Sequence, residues 1–342
     1  MELRSGAYGT RSSEGSSGFL FIRGEVDMRI AVFGTGAVGS YFGGRLAQAG
    51  EDVVFIARGE NLKALLKDGL RVDSAKGDFV VRSVQASDDP AQVGVMDVVL
   101  VGVKAWQVPE AAEAMRPLVG PETFVVPLQN GLEAPGQLAA VLGKEHVLGG
   151  LCGLFTSIVG PGHIRHTDHG GEPWVRFGEM DNRRSERVER LQKAFMQARV
   201  KAEIPPDIQV ALWMKFLFVT PLSGVGAVTR APVGVWRNLQ ETRETAQQAV
   251  QEIIAVGRAR NIGLPEDAMS MVMTMFDGLR PEVTSSMQRD VMEGRPSELD
   301  ALIGVVVRCG READVGTPLH AFTYSILLPM ELRARGKVEF PA

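Results

Sequence analysis

The chain predicts an α/β protein: a doubly wound parallel sheet with an antiparallel extension, followed by an all-α C-terminal domain. Three observations predict it. The run MRIAVFGTGAVGSYFGGRLAQAG sets a short apolar strand, residues 29–33, directly before a Gly-rich turn and a helix directly behind it. Apolar strand-like runs then alternate with helical stretches to about Leu142, the pattern of a parallel sheet wound with crossover helices. Beyond Pro205-Pro206, helical periodicity dominates almost to the end.

The Gly-rich turn is G-x-G-x-x-G, with Gly34, Gly36 and Gly39 separated by Thr35 and by Ala37-Val38. The first Gly permits the tight turn, the second lets backbone approach a pyrophosphate, and the third lets helix pack on strand. The helix N-terminus offers free N–H groups and a positive dipole end to phosphates. Gly-rich turns are common, so the motif gains its meaning from context. Here the strand precedes, the helix follows, and a second strand over 53–56 comes at the right distance, which makes this a Rossmann-type dinucleotide site. NAD sites place an acid at the end of that second strand. This chain reads Ile56-Ala57-Arg58-Gly59 instead. A guanidinium there can clamp a 2′-phosphate, so NADP (as NADPH) is the expected cofactor; a solvated Arg opening the next helix is the alternative.

After the second strand come a helix over 59–67, extended runs over 70–73 and 78–81, and a strand near Val84. DVVLVGV, residues 97–103, is a continuous apolar run of the kind buried in a parallel sheet. Residues 109–115 read as helix and 123–128 as strand; Gln129-Asn130-Gly131 and a helix to Leu142 follow. From 147 to 178, short strands and Gly turns predict the antiparallel extension. A charged amphipathic helix over 185–197 and a short strand over 201–204 complete the first unit. This divides the chain into an NADP-binding domain over 28–204 and a helical substrate domain over 205–342, with long helices over 241–261 and 298–313. Residues 1–27, rich in Gly and Ser, read as a disordered extension, with Met28 a candidate start of translation.

Composition is that of an ordinary globular protein: 342 residues, 45% hydrophobic and 23% charged. A net charge of −4 makes no electrostatic case for nucleic acid or an anionic membrane. No apolar run is read as reaching transmembrane length. Cys152 and Cys309 stand alone in sequence, which suits a reducing, cytoplasmic setting and small buried apolar roles.

Several residues outside the glycine turn stand where chemistry is done. Lys104 and Asn130 follow strands 97–103 and 123–128, at the sheet edge that faces the ligand crevice in open α/β sheets. Lys104 is suited to an anion of cofactor or substrate, or caps a strand in solvent; Asn130 is suited to ribose or substrate, or only turns the chain at Asn-Gly. Lys215 interrupts the apolar stretch ALWMKFLFV, so it either snorkels or is kept for chemistry, desolvation lowering its pKa. Glu298 opens a later helix, where the dipole alone favours an acid. The spacing of His163, His166 and His169 invites a metal, but the segment reads as strand and turn, on which three rings do not converge; no metal is expected.

Taken together these segments resemble ketopantoate reductase (2-dehydropantoate 2-reductase). The resemblance runs from about residue 28 to about 335 and rests on GTGAVGSYFGGRLA, VGVKAWQV, PLQNG, the W-x-K of Trp213 and Lys215, and SSMQRDVMEGRPSELD at 285–300. It implies a Rossmann domain and a helical domain with NADPH and a small 2-oxo acid between them, and the reduction of ketopantoate to pantoate in pantothenate biosynthesis. It implies that Lys215 protonates the ketone oxygen, that Asn130, Ser286 and Glu298 hold the substrate, and that Lys104 and Arg58 contact the cofactor. The chain departs from the family where Asn is common four and eight residues after the lysine: Val219 and Ser223 stand there. A related reductase of another branched 2-oxo or imino acid, and a non-catalytic NADP-binding sensor, are the alternative readings. A homodimer is the candidate assembly.

Overall fold

The computed structural model describes residues 28–168 and 171–341; the extension over 1–27 and His169 lie outside the described residues. Among the described residues there are twelve strands: β1 Arg29–Phe33, β2 Asp52–Ile56, β3 Leu70–Ser74, β4 Phe79–Val81, β5 Gln85–Ser87, β6 Met96–Val101, β7 Val119–Pro127, β8 Gly149–Gly153, β9 Thr156–Gly160, β10 His163–His166, β11 Trp174–Gly178 and β12 Lys201–Glu203. The helices of the first domain are α1 Ala37–Ala49, α2 Gly59–Asp68, α3 Pro90–Val93, α4 Val108–Ala114, α5 Ala134–Leu142 and α6 Glu186–Gln197. Those of the second are α7 Ile208–Thr229, α8 Val233–Trp236, α9 Gln240–Ala259, α10 Ala268–Gly278, α11 Ser286–Met292, α12 Val305–Glu312 and α13 Pro318–Ala334. A π-helical turn, Asp300–Gly304, leads into α12.

The central sheet is parallel, in the order β5-β2-β1-β6-β7. Successive residues of β1 face opposite layers. Ile30 and Val32 join Phe42, Leu46 and Phe195 of α1 and α6, whereas Ala31 and Phe33 join Val108 and Leu138 of α4 and α5. Burial on both faces is why β1 and β6 are apolar without alternation. The chain winds outward from β1 through β2 to β5, then returns to β6 and β7. The β1–β6 gap is therefore the topological switch point, where ligands of such sheets bind beyond the strand C-termini.

The antiparallel extension is present as two sheets rather than one. β8 and β11 pair antiparallel, with β12 parallel to β11, and a Val125–Val147 bridge links them to the central sheet. The β9–β10 hairpin leaves this group, and β10 runs parallel to β3 in a sheet of order β4-β3-β10-β9. The partition follows packing far apart in sequence: Ile164 of β10 shares a buried layer with Leu70, Val72 and Tyr41.

The second domain packs around α7. This helix is 22 residues long and meets length and hydropathy limits for a membrane span, which corrects the reading that no such run exists. Two thirds of its most apolar window (67%) is buried inside the protein, in a core with Trp236, Ile253 and Phe276. It is apolar all round because neighbours surround it.

Candidate active site

The glycine turn takes the shape its residues allow. Gly34 has φ +99°, a region that favours glycine, and its N–H donates to the Ile56 carbonyl at 3.2 Å. A Cβ on Gly39 would sit 2.1 Å from the Gly34 oxygen, so this position closes α1 onto the turn. A Cβ on Gly36 would meet only the Gly102 oxygen, at 3.7 Å, leaving backbone open to the cleft. Gly36 is also the N-cap of α1, with no side-chain cap and no acid in the first turn. The N–H groups of Ala37, Val38 and Gly39 thus begin the helix at the cleft without a competing side chain.

Asn61 fixes this turn from α2. Its amide donates to the Thr35 carbonyl at 3.1 Å and to Thr35 Oγ1 at 2.5 Å, and its oxygen accepts from Gly162 N–H at 2.7 Å. Arg58 is the N-cap of α2, two residues past β2, and among the described residues reaches only Glu110 Oε1, at 3.5 Å. Both side chains are exposed on the cleft rim, so the guanidinium is loosely held.

The cleft has a volume near 1690 Å³ and is lined from both domains. Asn130 meets Glu298 across it, and Lys104 meets Asp290. Glu298 is buried, and its Oε1 accepts from the Ala105 backbone N–H at 3.2 Å, its Oε2 from Asn130 Nδ2 at 3.3 Å. Its carboxylate is thus turned to the first domain, and the π-helical turn begins two residues later, a distortion frequent at functional sites. Lys104 Nζ lies 2.9 Å from Asp290 Oδ2 on α11, and Asp290 Oδ1 accepts from Arg295 Nε at 3.0 Å. Ser286, the first residue of α11, and Arg289 line the same wall.

Lys215 lies on the α7 face that floors the cleft. Burial pushes its pKa below that of an ordinary lysine, while Cys152 and Glu298 partly oppose the shift. Among the described residues no hydrogen bond or ion pair holds its ammonium. Cys152 is buried, its thiol pushed up by burial and only partly offset by Lys215. Val219, one helical turn on, lines the cleft beside Phe218, Leu222, Met271, Met275 and Leu279. Ser223 does not: it is 1% exposed within the helical domain, and its hydroxyl has no partner among the described residues. Eight residues are about 2.2 turns, so Ser223 is rotated some 80° from Lys215.

Other expected residues have separate surroundings. His163 pairs with Asp73 at 2.9 Å and His166 with Ser74 Oγ at 2.9 Å, and among the described residues no cluster could hold a metal. Participants that were not foreseen include Asn61, the Ala105 N–H, Asp290 as partner of Lys104, and Gln129, whose amide donates to the carbonyls of Val101 (2.8 Å) and Val103 (3.0 Å). Gln129 stands in PLQNG beside Asn130 and had a signal there. Asn61 is an ordinary helix residue in sequence and had none.

Residues 30–182 match the ketopantoate reductase PanE/ApbA family and residues 207–331 its C-terminal domain. The chain is 31% identical over 304 residues to the Bacillus subtilis oxidoreductase YkpB, covering 88% of this chain and 98% of that protein. A 2-dehydropantoate 2-reductase from Geobacter metallireducens superposes with a TM-score of 0.82 at 31% identity, covering 88% and 99% of the two chains. The ternary structure of D-mandelate dehydrogenase with NADH and anilino(oxo)acetate shares the fold, at a TM-score of 0.82 and 20% identity over 90% and 99%. A parallel-sheet domain followed by a helical domain agrees with these matches along nearly the whole described chain: it belongs to the ketopantoate reductase PanE/ApbA family of oxidoreductases.

Proposed function

We propose that the protein reduces a branched 2-oxo acid with NADPH, 2-dehydropantoate (ketopantoate) to pantoate being the first candidate. The observation that carries this reading is Lys215: a half-buried ammonium with no hydrogen-bond or ion-pair partner among the described residues, on the floor of a cleft that opens beside a glycine turn. The cleft fits a dinucleotide. Gly36 leaves open the space a Cβ would take, and the uncapped start of α1 presents N–H groups to phosphates. Arg58 at the end of β2, with no acid on Ile56-Ala57, favours a 2′-phosphate.

A bound dihydronicotinamide supplies the hydride for C2 of the 2-oxo acid. Lys215 meets the negative charge that develops on the carbonyl oxygen and gives it a proton, completing the alcohol. Its lowered pKa makes the ammonium a better donor near neutral pH than an ordinary lysine. Glu298 favours the ammonium form of Lys215 by its charge and, with Asn130 and Ser286, offers hydrogen bonds to the substrate. A half-buried ammonium on the cleft floor with no hydrogen bond or ion pair among the described residues is costly unless used, which weighs against a sensor without turnover.

A second reading rests on Val219. With Val219, Met271 and Met275 on the wall, a bulkier apolar 2-oxo acid suits the cleft better than a hydroxylated one. An NADPH-oxidation assay across ketopantoate, 2-oxoisovalerate and phenylglyoxylate tests both. Absence of turnover with all three overturns the proposal; preference for phenylglyoxylate selects the second reading.

A further inference from the structure

Behind Glu298 stands a second buried carboxylate, Glu331 on α13, only 6% exposed. It accepts from Ser297 N–H at 3.0 Å (Oε2) and 3.2 Å (Oε1), and from the Ser297 hydroxyl at 2.5 Å. Arg335, one turn along α13, donates to Glu331 Oε1 at 2.6 Å and to the Ser297 carbonyl at 3.1 Å. The Ser297 hydroxyl in turn accepts from Leu299 N–H at 3.3 Å. Every polar group of Ser297 is thereby engaged by Glu331, Arg335 or Leu299. The residue so gripped is the one immediately before Glu298.

The same guanidinium reaches the other partner of Glu298. Arg335 lies 4.6 Å over the ring of Trp106, and Trp106 directly follows Ala105, whose N–H binds the Glu298 carboxylate. The Glu331–Arg335 pair thus holds both sides of the contact by which Glu298 joins the two domains. Residues 295–297 have no helical or strand bonding of their own, and Gly294 before them has φ +67°. A buried ion pair contributes little net stability over apolar packing, but it does impose orientation.

We propose that Glu331 is a positioning residue for the active site: with Arg335 it sets the Ser297–Glu298 peptide so that the Glu298 carboxylate faces Ala105, Asn130 and Lys215. This rests on the reading of Glu298 as a site residue. It differs from a stability role in acting only through Glu298.

Kinetics of Glu331→Gln, Glu298→Gln and the double variant, on whichever of the three 2-oxo acids the wild type turns over best, test it. Glu331→Gln is expected to lower kcat/KM on the order of tenfold or more, as for a small displacement of a reacting group, with the NADPH Kd within about twofold of wild type. In the Glu298→Gln background the same substitution is expected to have no further effect, because its route is already cut. Hydrogen exchange at Leu299 N–H is expected to quicken in Glu331→Gln. If Glu331→Gln does not fold, Ser297→Ala, which removes the shared hydroxyl, carries the same cycle and the same expectation. Wild-type kinetics in the single variant, or an effect that simply multiplies that of Glu298→Gln, overturns the assignment. Wild-type kinetics in Glu298→Gln, or no wild-type turnover with any of the three acids, overturns the underlying reading instead.

Discussion

Lys104 and Asp290 form an ion pair of 2.9 Å between the end of β6 and α11, from opposite walls of the cleft. Arg295 shares the same carboxylate, so Asp290 separates two cations. Asp290→Asn is expected to cost at most about 1 kcal/mol of stability, because the Lys104 side chain is 42% exposed. It is also expected to tighten NADPH binding by a few fold, since Lys104 no longer has a carboxylate to leave. Isothermal titration of both proteins checks this, and weaker binding in the variant would show that Asp290 orients Lys104 instead of competing for it.

Arg58→Ala is expected to raise the NADPH Kd by a loss on the order of 1.5–3 kcal/mol, that of a hydrogen bond to a charged group, and to leave NADH nearly untouched. Glu110, the loose partner of Arg58, makes a second handle: Glu110→Gln is expected to leave NADPH binding unchanged or tighter. Equal affinity of the wild type for NADH and NADPH would sink the argument.

Lys215→Met is expected to lower kcat by at least about 10²-fold, the loss of a positioned proton donor. It is also expected to melt at or above the wild-type Tm, because it removes a half-buried charge that no hydrogen bond or ion pair among the described residues holds. The pH dependence has a definite sign. The folded pKa of Lys215 is lowered, so between the folded and unfolded values the unfolded chain binds more protons, and stability rises with pH across that window. Over the same window kcat for reduction falls, as the ammonium is lost. A basic limb no earlier than that of an ordinary lysine would contradict the assignment.

Val219→Asn alone is expected to improve kcat/KM on ketopantoate, since this side chain reaches the cleft. Ser223→Asn is expected only to destabilise, by about 1–3 kcal/mol, because Ser223 is buried away from the cleft and the larger amide overpacks its site. Improvement from Ser223→Asn and none from Val219→Asn would reverse this account of the α7 face.

Glu252 caps α13, the helix that carries Glu331. Its carboxylate accepts from Leu319 N–H at 2.8 Å, His320 N–H at 3.1 Å and His320 Nδ1 at 2.6 Å. Burial raises its pKa, but these bonds outweigh burial and hold it below the ordinary 4.5. Its contribution is therefore complete above about pH 4.5 and is lost as pH falls through the folded value. Glu252→Gln is expected to cost about 1–3 kcal/mol at neutral pH by urea melts, and less in acid. An equal loss at pH 3 and pH 7 would rule out this linkage.

The glycine turn, the strands beside it and the position of Lys215 were legible in the amino-acid sequence because short-range forces make them. A turn with positive φ at Gly34, a helix opening at Ala37 and a lysine set into an apolar helix each involve neighbours within a few residues. The pairing of β10 with β3, and which face of α7 meets the cleft so that Val219 lines it and Ser223 does not, depend on what α1 and the helical core pack against. The same holds for the contacts that assemble the cleft. Lys104 meets Asp290 across 186 residues and Ala105 meets Glu298 across 193, and neither pair exists until the two domains dock. Local propensity carries no record of such partners. They are selected by burial and hydrogen bonding between distant segments, and only the folded chain brings those together.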